Sequence, residues 1–237
     1  MNPSTSLRKP QSAAFTLIEL LTVIAIIAIL MGLLFPVLGA AKNQARRQAA
    51  AVAIRSIVSA CKSYQTDYGK FPPVTTALVG TANTSGYYAF GDTTTGGCKI
   101  ENNELFFILR AISQGTNSTP TPHALNKRQQ KYFEMGKAKD STAPRDGFTD
   151  GDEFKVSKGL LMDPWGTQYC VVLDAADAGT IDMSEFFTDL AGNTNLIRQS
   201  AAAFSMGIDG KRGGKEYKNQ LRKPGSTDSP DDIVSWQ

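Results

Sequence analysis

Residues 15–38 read FTLIELLTVIAIIAILMGLLFPVL, a nearly unbroken apolar run of 24 residues. About 20 apolar residues span the hydrocarbon core of a bilayer. A helix that is apolar all round has to be covered by lipid or by other protein, so this run limits what the chain can do more than any average. One residue breaks it. Glu19 is the only ionisable side chain between Lys9 and Lys42. An acid at the centre of a membrane helix costs roughly 2.5–3.5 kcal/mol on insertion scales, less near its end, and by default marks a functional position. Ahead of the run lies a polar leader, residues 1–14, with Arg8, Lys9 and no acid.

Two simple readings cover part of this pattern. A secretory signal peptide has an apolar core of about 7–15 residues and then a small-residue cleavage site. This core is longer, although Gly39-Ala40-Ala41 would serve as such a site. A plain transmembrane anchor fits the length. Neither accounts for Glu19. A cut between Ala14 and Phe15 does, because it creates an α-amine four residues before Glu19. Within one helix the two charges are about a turn apart. Between neighbouring subunits, the amine of one helix can neutralise the Glu19 of another.

The stretch Ala14-Phe15-Thr16-Leu17-Ile18-Glu19-Leu20-Leu21 resembles the processing site of type IV pilins and type II secretion pseudopilins, with Ala14 where that family usually has Gly. The resemblance implies that a prepilin peptidase removes the leader and methylates Phe15. It also implies that Glu19 and Pro36 serve assembly.

Residues 40–68 contain no Gly or Pro, and Ala50, Ile54, Ile57, Cys61, Tyr64 and Tyr68 recur at helical spacing. The helix is therefore expected to run on to Gly69 and Pro72-Pro73, about 80 Å in all at 1.5 Å per residue, with a bend or local opening at Pro36. Lys42, Arg46, Arg47, Arg55 and Lys62 read as a solvated basic face. Lys42, Arg46 and Arg47 balance Arg8 and Lys9, so charge alone does not orient the span. The resemblance places the leader in the cytoplasm and the rest in the periplasm.

The expected organisation is a leader over 1–14, a membrane and filament-core helix over 15–38, an amphipathic continuation over 39–70 and a globular head over 71–237. The fold class is α+β, a long helix packed on a small antiparallel sheet. In the head, residues 103–112 read as a short helix capped by Asn102 or Asn103. Residues 131–135 and 168–173 are the best strand candidates. Residues 75–97 and 113–122 are Thr/Ser/Gly/Pro-rich loops.

Asp163-Pro164-Trp165-Gly166-Thr167-Gln168-Tyr169 resembles a turn of the major type II secretion pseudopilin. Physically it is a turn in which Pro sets φ and Gly permits positive φ, with Trp165 packing as core. Ser205-Met206-Gly207-Ile208-Asp209-Gly210 and Asp231-Asp232-Ile233-Val234-Ser235-Trp236 resemble that protein's calcium-enclosing end. The implied ligands are Asp209, the carbonyl of Met206, Asp228 and Asp231. Calcium takes six to eight oxygens, which suits such donors. Six Lys and Arg between 211 and 223 work against the site. The loop over 174–185 has Asp, Gly and Glu at EF-hand positions, but Ala176 and Ala178 stand where ligands belong, so it reads as a turn.

The formal charge of +3 argues against nucleic-acid binding by bulk electrostatics. A single histidine, His123, excludes any two-His catalytic motif, and no Ser or Cys stands in a nucleophile motif. An enzyme is therefore not expected. Of the three cysteines, Cys61 belongs to the helix stripe, while Cys98 and Cys170 can pair in an oxidising compartment; the sequence gives no distance between them.

The resemblance implies a structural subunit in the inner membrane. Its partners would be copies of itself, the prepilin peptidase, minor pseudopilins and the secretion platform. The alternative is a type IV pilus or minor pilin serving adhesion, motility or DNA uptake.

Overall fold

The computed structural model describes residues 16–72, 86–93, 98, 100–113, 124–149, 158–183, 186, 196–210 and 232–236, without the side chains of 36 and 37. The chain divides into two units, Met1–Gln44 and Ala45–Gln237. One helix, α1 (Leu17–Tyr68), contributes to both.

In the first unit α1 exposes its described large apolar side chains from Leu17 to Leu38 on every face. It is helical through position 36, so the proline does not end it. By length and composition α1 can cross a membrane.

The second unit is α+β. Its other elements are β1 (Tyr87–Phe90), α2 (Asn102–Leu109), β2 (Gly147–Phe148), β3 (Leu161–Met162), β4 (Cys170–Asp174), β5 (Ile181–Asp182), β6 (Leu196–Ile197), β7 (Ala201–Ser205) and β8 (Ile233–Val234). The main sheet runs β1-β4-β7-β8 with every neighbour antiparallel. Two further antiparallel pairs are β2-β3 and β5-β6.

Successive side chains of a strand point to opposite faces. In β4, Val171 and Leu173 join one apolar cluster, while Cys170 and Val172 join the other. Both faces are covered, and for that reason β4 and β7 are fully buried and apolar up to their last residues, Asp174 and Ser205. The first cluster contains Ala50, Ile54, Ile57, Cys61 and Tyr64 of α1 with Phe90, Val171, Leu173, Ala201 and Ala203. The helical stripe is therefore the face that meets the sheet. Small side chains come from both elements: Ala50, Ala53 and Ala60 of α1 and Ala201 and Ala203 of β7 share this cluster.

The end of α1 is closed by Gly69, whose φ of 73° suits a residue without Cβ and whose N–H donates to the Gln65 carbonyl at 2.7 Å. Its last two turns are also anchored from the side. The Tyr64 hydroxyl donates to the Leu125 carbonyl, and the Tyr68 hydroxyl donates to Asn126 and accepts from the Arg128 N–H. Tyr64 stacks on Tyr68 with ring centroids 4.4 Å apart.

Two expectations need correction. Residues 131–135 are not a strand. The N–H groups of Tyr132 and Phe133 both donate to the carbonyl of Leu109, the last residue of α2, so this β-prone segment closes a helix end. The second concerns α2, which starts at Asn102 after Glu101 and has no side-chain cap. Asn102 is buried inside the helix; its amide donates to the carbonyls of Leu161 and Tyr169 and accepts from the Leu161 N–H. The asparagine joins α2 to β3 and to the residue before β4.

Candidate functional site

The start of α1 is built by two residues. The Thr16 hydroxyl accepts from the Glu19 N–H at 3.3 Å, and the Glu19 carboxylate accepts from the Thr16 N–H at 2.8 Å. The same carboxylate accepts from the Thr16 hydroxyl at 2.8 Å. This is a capping box, in which the residue before a helix and its third residue satisfy each other's N–H groups. A carboxylate in the first turn also suits the positive end of the helix dipole. Glu19 therefore has a partner in its own chain, Thr16, besides the expected α-amine of Phe15. The signal was present as Thr-x-x-Glu, hidden because both residues sit inside an apolar run. Ala14 and Phe15 lie outside the described residues. Glu19 is exposed in the single chain, so its carboxylate can still meet a cation.

At the other end of the chain, the Asp163 turn meets the segment over 205–210 that was expected to help hold calcium. Asp163 is fully buried. One of its carboxylate oxygens accepts from the N–H groups of Trp165, Gly166 and Thr167 at 2.8–2.9 Å. The other accepts from the hydroxyls of Thr167 and Ser205, each at 2.6 Å. Ser205 ends β7, and its hydroxyl in turn accepts from the Gly207 N–H. Gly210 closes the turn with a φ of 64°, and a Cβ placed there would lie 3.2 Å from the Thr167 methyl. The Asp163 turn thus supports the turn over 206–210. Tyr169 lies against this centre. Burial, and after it the charges of Asp163 and Asp146, push its phenol far up, so it stays neutral.

Of the expected calcium donors, Met206 is buried at the end of β7 and Asp209 is exposed on the turn that follows. Asp228 and Asp231 lie outside the described residues. Among the described residues no three His, Cys, Asp or Glu side chains gather as a metal group. The tail itself forms β8, with Ser235 exchanging hydrogen bonds with Ala203 and Trp236 edge-on to Phe204 at 6.3 Å. The loop after β4 is the expected turn: the Asp174 carboxylate accepts from the N–H groups of Ala176 and Gly179, so its oxygens hold backbone.

No curated protein and no solved structure matches the chain. Residues 9–35 match the family model of the prokaryotic N-terminal methylation motif. The match covers Ala14, Phe15 and Glu19 and ends one residue before Pro36. The chain thus begins as type IV pilin-like precursors do, with the segment that a prepilin peptidase processes.

Proposed function

We propose that the chain is a structural subunit of a type II secretion pseudopilus. It is held in the inner membrane by the first part of α1, with its head in the periplasm, and is cut by the prepilin peptidase between Ala14 and Phe15. It then assembles with copies of itself, minor pseudopilins and the secretion platform. It carries no catalytic activity of its own. The observation that carries this reading is the methylation-motif match over residues 9–35, which falls on the apolar part of α1 and on Glu19. The Asp163 turn bonded to Ser205 supports the pseudopilus over a pilus, because it joins two of the three segments that resemble the major pseudopilin.

Mass spectrometry of the assembled protein should find N-methylated Phe15 as the first residue; a start near Ala41 would establish an ordinary signal peptide. Glu19→Val should leave membrane insertion intact and abolish assembly; normal filaments from it would sink the assembly role. Loss of the protein should strand folded export substrates in the periplasm, whereas lost adhesion or DNA uptake with normal export would establish the pilus reading.

Calcium belongs to the same proposal. The Met206 carbonyl and Asp209 are oxygen donors of the kind a hard cation takes, and the ion would join the end of β7 to the tail. At a hundredfold excess over Kd, binding to the native state adds about 2.7 kcal/mol. The protein should melt higher in calcium than in chelator, and Asp209→Ala should remove the difference.

A further inference from the structure

We propose that Cys98 and Cys170 are a disulfide-forming pair that locks the segment after β1 onto the central strand β4. All three cysteines stand as buried thiols in the structure. Cys170 opens β4, and Cys98 lies in the segment after β1. The described ends of that segment meet: the Gly91 N–H donates to the Ile100 carbonyl at 2.7 Å, and the Cys98 N–H donates to the Asp92 carbonyl at 3.3 Å. A Cβ built on Gly91 would lie 2.7 Å from the Cys170 Sγ and 2.8 Å from the Cys98 Sγ. Since both sulfurs are that close to one point, those two distances cap their separation at 5.5 Å. Only a glycine at position 91 leaves them this space.

The choice of pair is also fixed by the sheet. Cys98 and Cys170 belong to the cluster on one face, with Tyr87, Val172 and Phe204. Cys61 belongs to the cluster on the other face. With β4 and β7 between them, Cys61 cannot compete. A disulfide needs sulfurs about 2.05 Å apart, and Cys98, outside any helix or strand, is the partner that can move.

The step is thiol–disulfide exchange with a disulfide oxidant, either a dithiol–disulfide oxidoreductase or a small-molecule disulfide. The oxidant's S–S bond breaks and the Cys98–Cys170 bond forms. Two electrons pass to the oxidant's sulfurs, and the two thiol protons leave with them. Because both thiols are buried in the finished fold, exchange belongs to the folding chain, and the completed bond is then shielded from reductant. The bond closes a long loop that includes α2, β2 and β3, and so restricts the unfolded chain. In cells it rests on the proposed periplasmic head, since cytosolic thiols stay reduced.

The test is thiol alkylation of the full-length protein, extracted from membranes in detergent and denatured without reductant. One alkylated cysteine, Cys61, is expected, rising to three after reduction, with a peptide joining Cys98 to Cys170. Reduction or Cys98→Ser should lower the melting midpoint by about 5–15 °C. A second arm refolds the reduced protein in an oxidising glutathione buffer. A bond formed there but absent in cells upholds the pair and overturns the periplasmic location. Three alkylated cysteines in both arms, or Cys61 in the bond, overturn the pair.

Discussion

From Leu17 to Leu38, α1 turns its large apolar side chains outward on every face; from Ala50 to Tyr64 it gathers them on one stripe, and that stripe is sealed against a sheet. Ile27 is 48% exposed, while Ile57, on the same helix, is 0% exposed. The two residues have the same helix propensity and the same hydrophobicity. What differs is where the covering surface comes from. The second stretch is covered by its own chain, so its apolar side chains stabilise the head. The first stretch has no cover of its own among the described residues, so its apolar side chains are left to meet lipid or other protein.

The sharpest way to break this contrast is to make one substitution in both places. Ile57→Ala opens a cavity in a close-packed core and should cost the head about 2–5 kcal/mol. Ile27→Ala should leave head stability unchanged. Chemical denaturation of both variants in detergent checks this, and equal losses would show that the membrane stretch also packs on the head.

A smaller effect separates helix packing from turn support within the head. Asp163→Ala leaves the hydroxyls of Ser205 and Thr167 and the N–H groups of Trp165 and Thr167 without their carboxylate acceptor, while the Gly166 N–H keeps the residue 163 carbonyl. Bonds to a charged group are worth about 1.5–3 kcal/mol each, though not additively, so a loss of about 2–4 kcal/mol in urea is expected. Membrane insertion should not change. An unaltered urea midpoint would mean that the turn holds itself.

The smallest effect tests whether an acid costs the head anything. Burial, then the nearby charge of Glu101, raises Glu104 above its ordinary value. A carboxyl whose pKa is raised on folding favours the folded state while protonated and loses that contribution as pH rises through the folded pKa. Glu104→Gln should therefore melt slightly higher than the parent at neutral pH, and the gap should close below the ordinary carboxylate range. A gap that persists at low pH would trace the gain to packing instead of charge.

The parts of the fold legible in the sequence are those whose cause is local. The stripe on α1, its stop at Gly69 and the apolar strand β4 follow from periodicity and composition within one element. Residues 131–135 have a strand's composition, but their partner is the carbonyl of Leu109, which no local pattern reveals. Asn102 looks like a cap because caps are what asparagines before helices usually are; its actual partners, Leu161 and Tyr169, are 59 and 67 residues away. The Asp163 motif was legible as a turn, while its bond to Ser205, 42 residues on, was not. At the start of α1 the Thr16–Glu19 box is local and legible, and was obscured only by the larger question a membrane carboxylate raises.

The tyrosines at the end of α1 also carry a mechanical consequence. Tension entering the N-terminal end of the helix meets first the stripe packed in the core and, at the far end, the bonds by which Tyr64 and Tyr68 hold Leu125, Asn126 and Arg128. Tyr64 and Tyr68 are one turn apart on the helix, so both sets of bonds share the load that reaches this end. Tyr64→Phe with Tyr68→Phe should therefore lower the rupture force of the head in an optical trap; an unchanged force would move the load path to the aliphatic stripe. In the proposed subunit, a helix fastened in this way acts as a tie as well as an anchor.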